Sequence, residues 1–317
     1  MKVLIAEDDL TSMTILKALL KKWGYETVTA EDGLSALELL NSPEGPKLAI
    51  LDWNMPEMDG IEVCSHLRDQ TRANPPYLIL LTGNTGTEHI VSGLEAGASD
   101  YICKPYKKEE LLARIRVGQR MLQLQSELNE AKGILAHQAM HDPLTNVYNR
   151  RAITEILQHE LSRARRTGQK LCIGMFDLDH FKRINDSYGH EIGDKALIAF
   201  VRTVEKTLRG SDYIGRWGGE EFIVVAPANK EAEHNSLFER IREAVASLRI
   251  PTQQENLPES FGFTVSAGIT CGSGSEEADS LIRAADRGLY MAKDGGRNRV
   301  ISVSSKKAEY LSDVPGL

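Results

Sequence analysis

The sequence predicts two α/β domains joined by a helix. Residues 1–118 read as a doubly wound five-stranded parallel sheet, 119–140 as a helical linker, and 141–305 as an α+β domain with a mixed sheet. Three observations predict this. Short apolar runs alternate with amphipathic helix patterns in the first third, the order of a parallel sheet wrapped on both faces. An apolar repeat of 3.5 residues then runs without a break, as in a coiled coil. The remainder follows a βααββαβ order, which implies an antiparallel or mixed sheet with helices packed against it.

Composition bounds the function classes. At 317 residues the chain is long enough for two full cores. It is 41% hydrophobic and 26% charged, with a net charge of −7. That acidic balance argues against a sequence-independent nucleic-acid binder, which needs a basic footprint. No apolar run of about 18 residues occurs, and Met1-Lys2 leads directly into a strand-like run. Neither a membrane span nor a signal peptide is expected, and the cytoplasm follows by elimination. Cys64, Cys103, Cys172 and Cys271 are far apart and form no CxxC pair, so neither a disulfide framework nor a zinc site is expected.

In the first domain, Val3–Ala6, Leu48–Leu51 and Leu78–Leu81 are buried-strand runs, and Thr27-Val28-Thr29 is a weaker one. Thr11–Lys22 is a helix with Met13, Leu16, Leu19 and Leu20 on its apolar face. Function in such sheets collects beyond the carboxyl ends of the strands. Those ends carry Glu7-Asp8-Asp9, Asp52, Thr82 and Lys104-Pro105. Carboxylates suit Mg²⁺, and one of them, Asp52, can accept a phosphoryl group whose oxygens Thr82 and Lys104 hold. These residues, with Asp52-Trp53-Asn54-Met55-Pro56 and Tyr101-Ile102-Cys103-Lys104-Pro105, resemble a two-component receiver domain of the flavodoxin-like fold. The resemblance implies phosphorylation of Asp52 by a cognate histidine kinase. It also implies one Mg²⁺ held by Glu7, Asp8, Asp52 and the Asn54 carbonyl, and a switch pair of Thr82 and Tyr101.

Glu109–Ala139 reads as one long helix. Val117, Met121, Leu124, Leu128, Ala131 and Leu135 are spaced 4, 3, 4, 3 and 4 residues apart. This predicts a parallel two-stranded stalk in preference to a stripe folded back on its own domain. Gly118 and Gly133 are expected to weaken it by roughly 1 kcal/mol each. His137 and His141 lie one turn apart but have no third ligand nearby, and read as a solvated helix end.

The second domain is organised around Arg216-Trp217-Gly218-Gly219-Glu220-Glu221-Phe222. Two glycines between apolar runs predict a tight hairpin, and two adjacent carboxylates at its tip make sense if a cation binds there. A turn after His141 enters a helix running to about Arg166, and Leu171–Leu178 is the strand that delivers Asp177 and Asp179. A helix follows Asp179-His180-Phe181-Lys182, so backbone amides and Lys182 face an anion. Further helices are expected from Asp194, over Glu231–Leu248 and over Glu276–Lys293. Phe263–Ile269 and Val300–Val303 are expected strands, and 306–317 an unstructured tail. Carboxylates from adjacent strand ends holding two metals suit in-line attack on a phosphate.

The run Asp177–Asp186, Gly189-His190, Gly193-Asp194, the Gly-Gly-Glu-Glu-Phe stretch and Lys293–Asn298 resemble the diguanylate cyclase (GGDEF) domain, with its cyclase- and palm-like sheet. The resemblance implies condensation of two GTP into cyclic di-GMP and pyrophosphate. Asp177, the Leu178 carbonyl and Glu220 would hold two Mg²⁺ (Mn²⁺ as a substitute), with Glu221 a further ligand candidate and Glu220 assisting loss of the ribose 3′ proton. The backbone near Phe181 and Lys182, the turn glycines Gly218 and Gly219, Lys293 and Arg297 would take the triphosphate, while Asn185 and Asp194 read guanine. Ring closure needs two such domains face to face, hence a homodimer through the receiver face and the stalk. Arg209-Gly210-Ser211-Asp212 matches the family's RxxD product-inhibition site, with Arg240 a weaker candidate for it. Two other readings compete. A silent receptor for cyclic di-GMP is disfavoured by the intact Asp177, Glu220, Lys293 and Arg297. A DNA-binding regulator lacks a basic face and a helix-turn-helix pattern.

Overall fold

The computed structural model describes residues 1–69, 74–83, 86–228, 232–252 and 258–304. The chain forms two compact units, Met1–Ile134 and Leu135–Leu317.

The first unit runs β1 (Lys2–Ala6), α1 (Leu10–Lys22), β2 (Glu26–Ala30), α2 (Gly33–Asn41), β3 (Leu48–Asp52), α3 (Gly60–Arg68), β4 (Tyr77–Thr82), α4 (Thr87–Glu95), β5 (Asp100–Cys103), and into α5 (Lys108–Met140). Its strands pair in parallel in the order β2-β1-β3-β4-β5. Side chains alternate between faces along each strand. Leu4 and Ala6 of β1 therefore enter one core while Val3 and Ile5 enter the other. Asp9, Asp32 and Asp59 start α1, α2 and α3 by accepting from the backbone N–H of Ser12, Ser35 and Glu62. All five strand C-termini lie at one sheet edge, and order reverses between β1 and β3, where ligands sit in such sheets.

Helix α5 is 33 residues long. Leu111, Ile115 and Gly118 are buried in the first unit. Gly118 is not simply a weak point of the helix, as its propensity suggests. A Cβ there would stand 2.6 Å from Cδ1 of Tyr77 and 3.0 Å from Cδ1 of Leu48, so glycine permits the helix to approach the sheet. The apolar stripe behaves otherwise. Val117, Met121, Leu124, Leu128 and Leu135 expose between 49% and 64% of their surface. The stripe does not fold back on its own chain among the described residues.

The second unit continues with α6 (Arg150–Thr167), β6 (Lys170–Leu178), α7 (Phe181–Tyr188), α8 (His190–Thr207), β7 (Tyr213–Gly218), β8 (Glu221–Ala228), α9 (Ala232–Ala246), β9 (Ile250–Pro251), β10 (Ser260–Phe261), β11 (Val265–Gly272), α10 (Ala278–Asp294) and β12 (Val300–Ser302). The main sheet has the order β12-β11-β6-β8-β7, antiparallel except for the parallel pair of β11 and β12. Phe176, Phe200, Phe222 and Phe238 fill the core on one face. Ile153, Leu157, Met175, Ile223 and Leu289 fill the other.

Three details depart from the sequence reading. Helix α8 starts at His190 rather than Asp194, because Gly189 takes φ 84° and lets the chain turn at once from α7. The two-residue pair of β9 and β10 is too short to leave a periodic signal. Cys172 and Cys271, expected to be unpaired, form a disulfide. The antiparallel register sets them directly opposite on β6 and β11, although 99 residues separate them in the chain. The expected helix start at Glu231 and the expected tail over 306–317 lie outside the described residues.

Candidate active sites

In the first unit, β1, β3, β4 and β5 deliver Glu7, Asp52, Thr82 and Lys104 to one sheet edge. Glu7, Asp52 and Thr82 are buried. The Lys104 ammonium bridges the two acids, with Nζ 2.8 Å from Glu7 Oε2 and 2.6 Å from Asp52 Oδ1. Burial works against its charge, but the hydrogen bonds to Asp52 and Glu7 prevail and hold its pKa above the ordinary lysine value. Burial raises the Glu7 pKa, and Asp52 adds to this, while Lys104 opposes it. Carboxylate oxygens of Glu7, Asp8 and Asp52 all lie within 4.8 Å of one another. Such a spacing suits a shared metal ion, and the hard oxygen donors fit Mg²⁺. Asn54 is exposed in the loop after β3, and Tyr101 is half-buried against the core beneath the site.

In the second unit the central strand β6 carries Asp177 to its end, where the register places it between Ser266 on β11 and Glu221 on β8. Gly218 closes β7, and the turn itself is Gly219-Glu220, with Gly219 at φ 52°. Glu220 is half-buried at the tip, and its carbonyl accepts from the Leu178 N–H at 3.4 Å. Lys293, in the last turn of α10, places Nζ 2.7 Å from Asp177 Oδ2. Burial pushes Asp177 up to about 6 despite that partner, and Glu220 and Glu221 push the same way. Glu221 is likewise raised, by burial first, with Lys293 opposing and Asp286 and Glu220 adding. Lys293 thus pairs directly with Asp177 and its charge also acts on Glu221, and the acids gathered here are hard oxygen donors of the kind a divalent metal takes.

Around this centre the chain gathers the other expected residues. Phe181 and Lys182 open α7, the first half-buried and the second exposed. Asn185 of α7 lies over α8 at Gly193, where a Cβ would sit 1.9 Å from its Oδ1, and exposed Asp194 follows directly. Arg297 stands in the turn after α10 with φ 63°. Arg209 and Asp212 close a turn in which Asp212 Oδ2 accepts from the Arg209 N–H at 2.9 Å. Both line a cavity of about 450 Å³ that also takes in His141, Tyr148 and Tyr213. Arg240 is not part of that lining, and its Nη2 donates to the Thr207 carbonyl at 3.0 Å. His137 and His141 stack at 3.9 Å between ring centroids, and His137 Nε2 meets Asn146 Oδ1 at 2.7 Å, so they are better ordered than a solvated helix end.

Two networks were not legible in the sequence. Arg216 donates from Nε and Nη2 to the Gly219 carbonyl at 2.9 and 2.7 Å, while its Nη1 pairs with Asp142 at 3.0 Å. Burial disfavours the Asp142 charge, yet hydrogen bonds from Thr145 and Arg216 more than compensate and lower its pKa. This clamp fixes the acidic turn from 74 residues away. Asp179, two residues past Asp177, is buried and accepts from Thr264 Oγ1 and Ser266 Oγ, each at 2.6 Å, and from the Asn298 N–H at 3.1 Å. It ties the β6 end to the Arg297 turn.

The sequence model of the diguanylate cyclase GGDEF domain matches residues 139–299, half of the chain. The chain belongs to the GGDEF family. The response regulator receiver domain matches residues 3–116 of the same chain. Response regulator PleD of Caulobacter vibrioides is 30% identical over 289 residues, covering 87% of this chain and 63% of PleD. Diguanylate cyclase DgcP of Pseudomonas aeruginosa is 38% identical over 205 residues, covering 62% of this chain and 30% of DgcP. The chain therefore spans less than two thirds of either relative. Among solved structures, the coiled coil and GGDEF domain of DgcB from Caulobacter crescentus, in complex with c-di-GMP, aligns with a TM-score of 0.55 at 29% identity. That alignment covers 61% of this chain and 99% of DgcB's. The GGDEF match begins at residue 139, two residues before His141, so the end of α5 enters the family domain directly.

Proposed function

We propose that this protein is a response-regulator diguanylate cyclase that phosphorylation of Asp52 activates and its own product inhibits. One observation carries the catalytic half of the reading. Asp177 is buried at the end of the central strand, directly opposite Glu221 and 2.7 Å from Lys293, with Glu220 at the adjoining turn. A polar cluster of this kind is of no use to a sheet core, and one that concentrates like charge indicates chemistry.

Asp177, the Leu178 carbonyl and Glu220 would hold Mg²⁺, with Glu221 a further ligand. Bound Mg²⁺ would supply charge neutralisation for the triphosphate and for the attacking 3′ oxygen. Lys293 and Arg297 bind the β- and γ-phosphates, aided by backbone N–H groups at the start of α7. Asn185 and Asp194 accept and donate at the guanine edge, where adenine lacks the matching donor pair. Glu220 takes up the proton of the 3′-hydroxyl as that oxygen bonds to the α-phosphorus of the second GTP and pyrophosphate leaves. Repetition in the opposite sense closes the ring. Since each domain presents one GTP, the two sites face each other in a homodimer, which the exposed α5 stripe and the receiver hold together. Product that collects at Arg209 and Asp212 lowers the rate.

In the receiver, Glu7, Asp8 and the Asn54 carbonyl would hold the metal beside Asp52. Lys104 and Thr82 hold the phosphoryl oxygens, and Tyr101 follows Thr82 inward. Incubation of the purified protein with GTP and Mg²⁺, followed by mass spectrometry, is expected to yield cyclic di-GMP and pyrophosphate. Glu220→Gln is expected to lose synthesis with an unchanged circular dichroism spectrum. Turnover by this variant at the unaltered rate would overturn the assignment.

A further inference from the structure

The turn that carries Arg297 is conformationally expensive. Gly296, Arg297 and Asn298 have φ of 107°, 63° and 46°, so two successive non-glycine residues occupy the left-handed region. Side chains with a Cβ visit that region rarely, and asparagine tolerates it better than arginine. Such a turn persists when its surroundings over-determine it, and strain of this kind clusters at ligand clamps.

Two groups hold it. Asp179 receives the Asn298 backbone N–H at 3.1 Å. On the other side Arg242 of α9 donates from Nη1 to Asn298 Oδ1 at 3.0 Å. Arg242 is itself fixed. Its side chain is 18% exposed, and its Nε lies 2.7 Å from Glu239 Oε2. Helix α9 is anchored again two residues earlier, where Arg240 meets the Thr207 carbonyl. Asn298 is thus gripped by its amide from the β6 end and by its side chain from a helix, with Arg297 next to it in the chain.

We propose that Arg242 is a positioning residue for the triphosphate, acting through Asn298 to hold Arg297 in its left-handed conformation and aim it at the β- and γ-phosphates. This rests on the reading of Arg297 as a triphosphate ligand. Arg242 touches no substrate itself. Its loss leaves the guanine contacts of Asn185 and Asp194 in place, so the effect is confined to ligands that carry the outer phosphates.

The test measures dissociation constants of the full-length protein, with Mg²⁺, for 3′-deoxy-GTP and for GMP. The first lacks the attacking hydroxyl and is not consumed, and the second lacks the phosphates that Arg297 would hold. Arg242→Ala is expected to weaken 3′-deoxy-GTP about tenfold, the size of one charge-assisted hydrogen bond, and to change GMP less than about twofold. Arg242→Ala also removes the pairing with Glu239, so Asn298→Gly serves as a second variant. It keeps the left-handed backbone, deletes only the acceptor and leaves α9 intact. The two single variants are expected to match, and the double variant to be no worse than either, because they break one contact. Arg297→Ala separates the two levels of the argument. If it weakens 3′-deoxy-GTP selectively while Arg242→Ala and Asn298→Gly do not, the brace is wrong and the triphosphate reading stands. If it has no selective effect, both fall. Equal weakening of both ligands in the brace variants reduces Arg242 to a fold-stabilising residue and overturns the proposal.

Discussion

Replacing Asp177 by asparagine should make the metal-free protein more stable while abolishing its chemistry. The side chain of Asp177 is 8% exposed, so solvent does little to screen it. Burial is the largest cause of its raised pKa, and the value of about 6 already includes the opposing pull of Lys293. The ordinary value is 3.8. At ~1.4 kcal/mol per pH unit, the ionised carboxylate costs the folded unit about 3 kcal/mol at pH 8. The sign follows from proton uptake. The folded chain holds this proton more tightly than the unfolded chain, so the cost is complete above pH 6 and fades as pH falls toward 3.8. At pH 5 roughly half of it remains. Asparagine keeps the shape and a hydrogen-bond acceptor for Lys293 without the charge. In a unit of this size about 3 kcal/mol corresponds to roughly 6–12 °C in Tm. The assay is differential scanning calorimetry in EDTA at pH 8 and pH 5, comparing wild type with Asp177→Asn. A gain at pH 8 that shrinks by about half at pH 5 is expected, and Mg²⁺ should raise the wild type alone and narrow the gap. A variant less stable at pH 8, or a gain independent of pH, would refute the argument that a buried carboxylate is kept here at the expense of stability.

Three further outcomes are expected. Arg209→Ala should relieve product inhibition without lowering the initial rate, since the turn is closed by the Arg209 backbone N–H and not by its side chain; progress curves that plateau at the wild-type product level would speak against the RxxD site. Gly118→Ala should destabilise the receiver by about 1–3 kcal/mol, because its Cβ meets the Tyr77 ring at 2.6 Å, and urea melts of the first unit's signal measure this. A seven-residue insertion after Leu128 lengthens α5 by about 10 Å with a phase drift of only ~20°, whereas two residues add about 3 Å and turn everything downstream by roughly 200°. The longer insertion should keep most of the phosphate-dependent rise in initial rate and the shorter should lose it, and equal ratios would reduce the stalk to a tether.

Much of both sites was legible in the sequence because it depends on local rules. Strand runs separated by helix patterns place Glu7, Asp52, Thr82 and Lys104 at one sheet edge whatever the details of packing. A glycine pair between apolar runs announces the hairpin, and the 3.5-residue stripe announces α5. What the tertiary structure decided lies between residues that no window contains. Asp142 reaches Arg216 across 74 residues, Asp179 reaches Thr264 across 85 and Asn298 across 119, and Cys172 meets Cys271 across 99. The cysteine pair depends on antiparallel register, where a slip of one residue would turn the whole strand over, and the others depend on which loops and strand ends the fold brings together. Asp179 shows the difference most plainly. In the sequence it is a second acid at the strand end, two residues past Asp177. In the fold its oxygens are taken by two hydroxyls and one amide, because it stands one residue past the end of β6, where Thr264, Ser266 and Asn298 meet it. Gly118 is the converse case, a helix breaker by propensity that packing against Tyr77 requires.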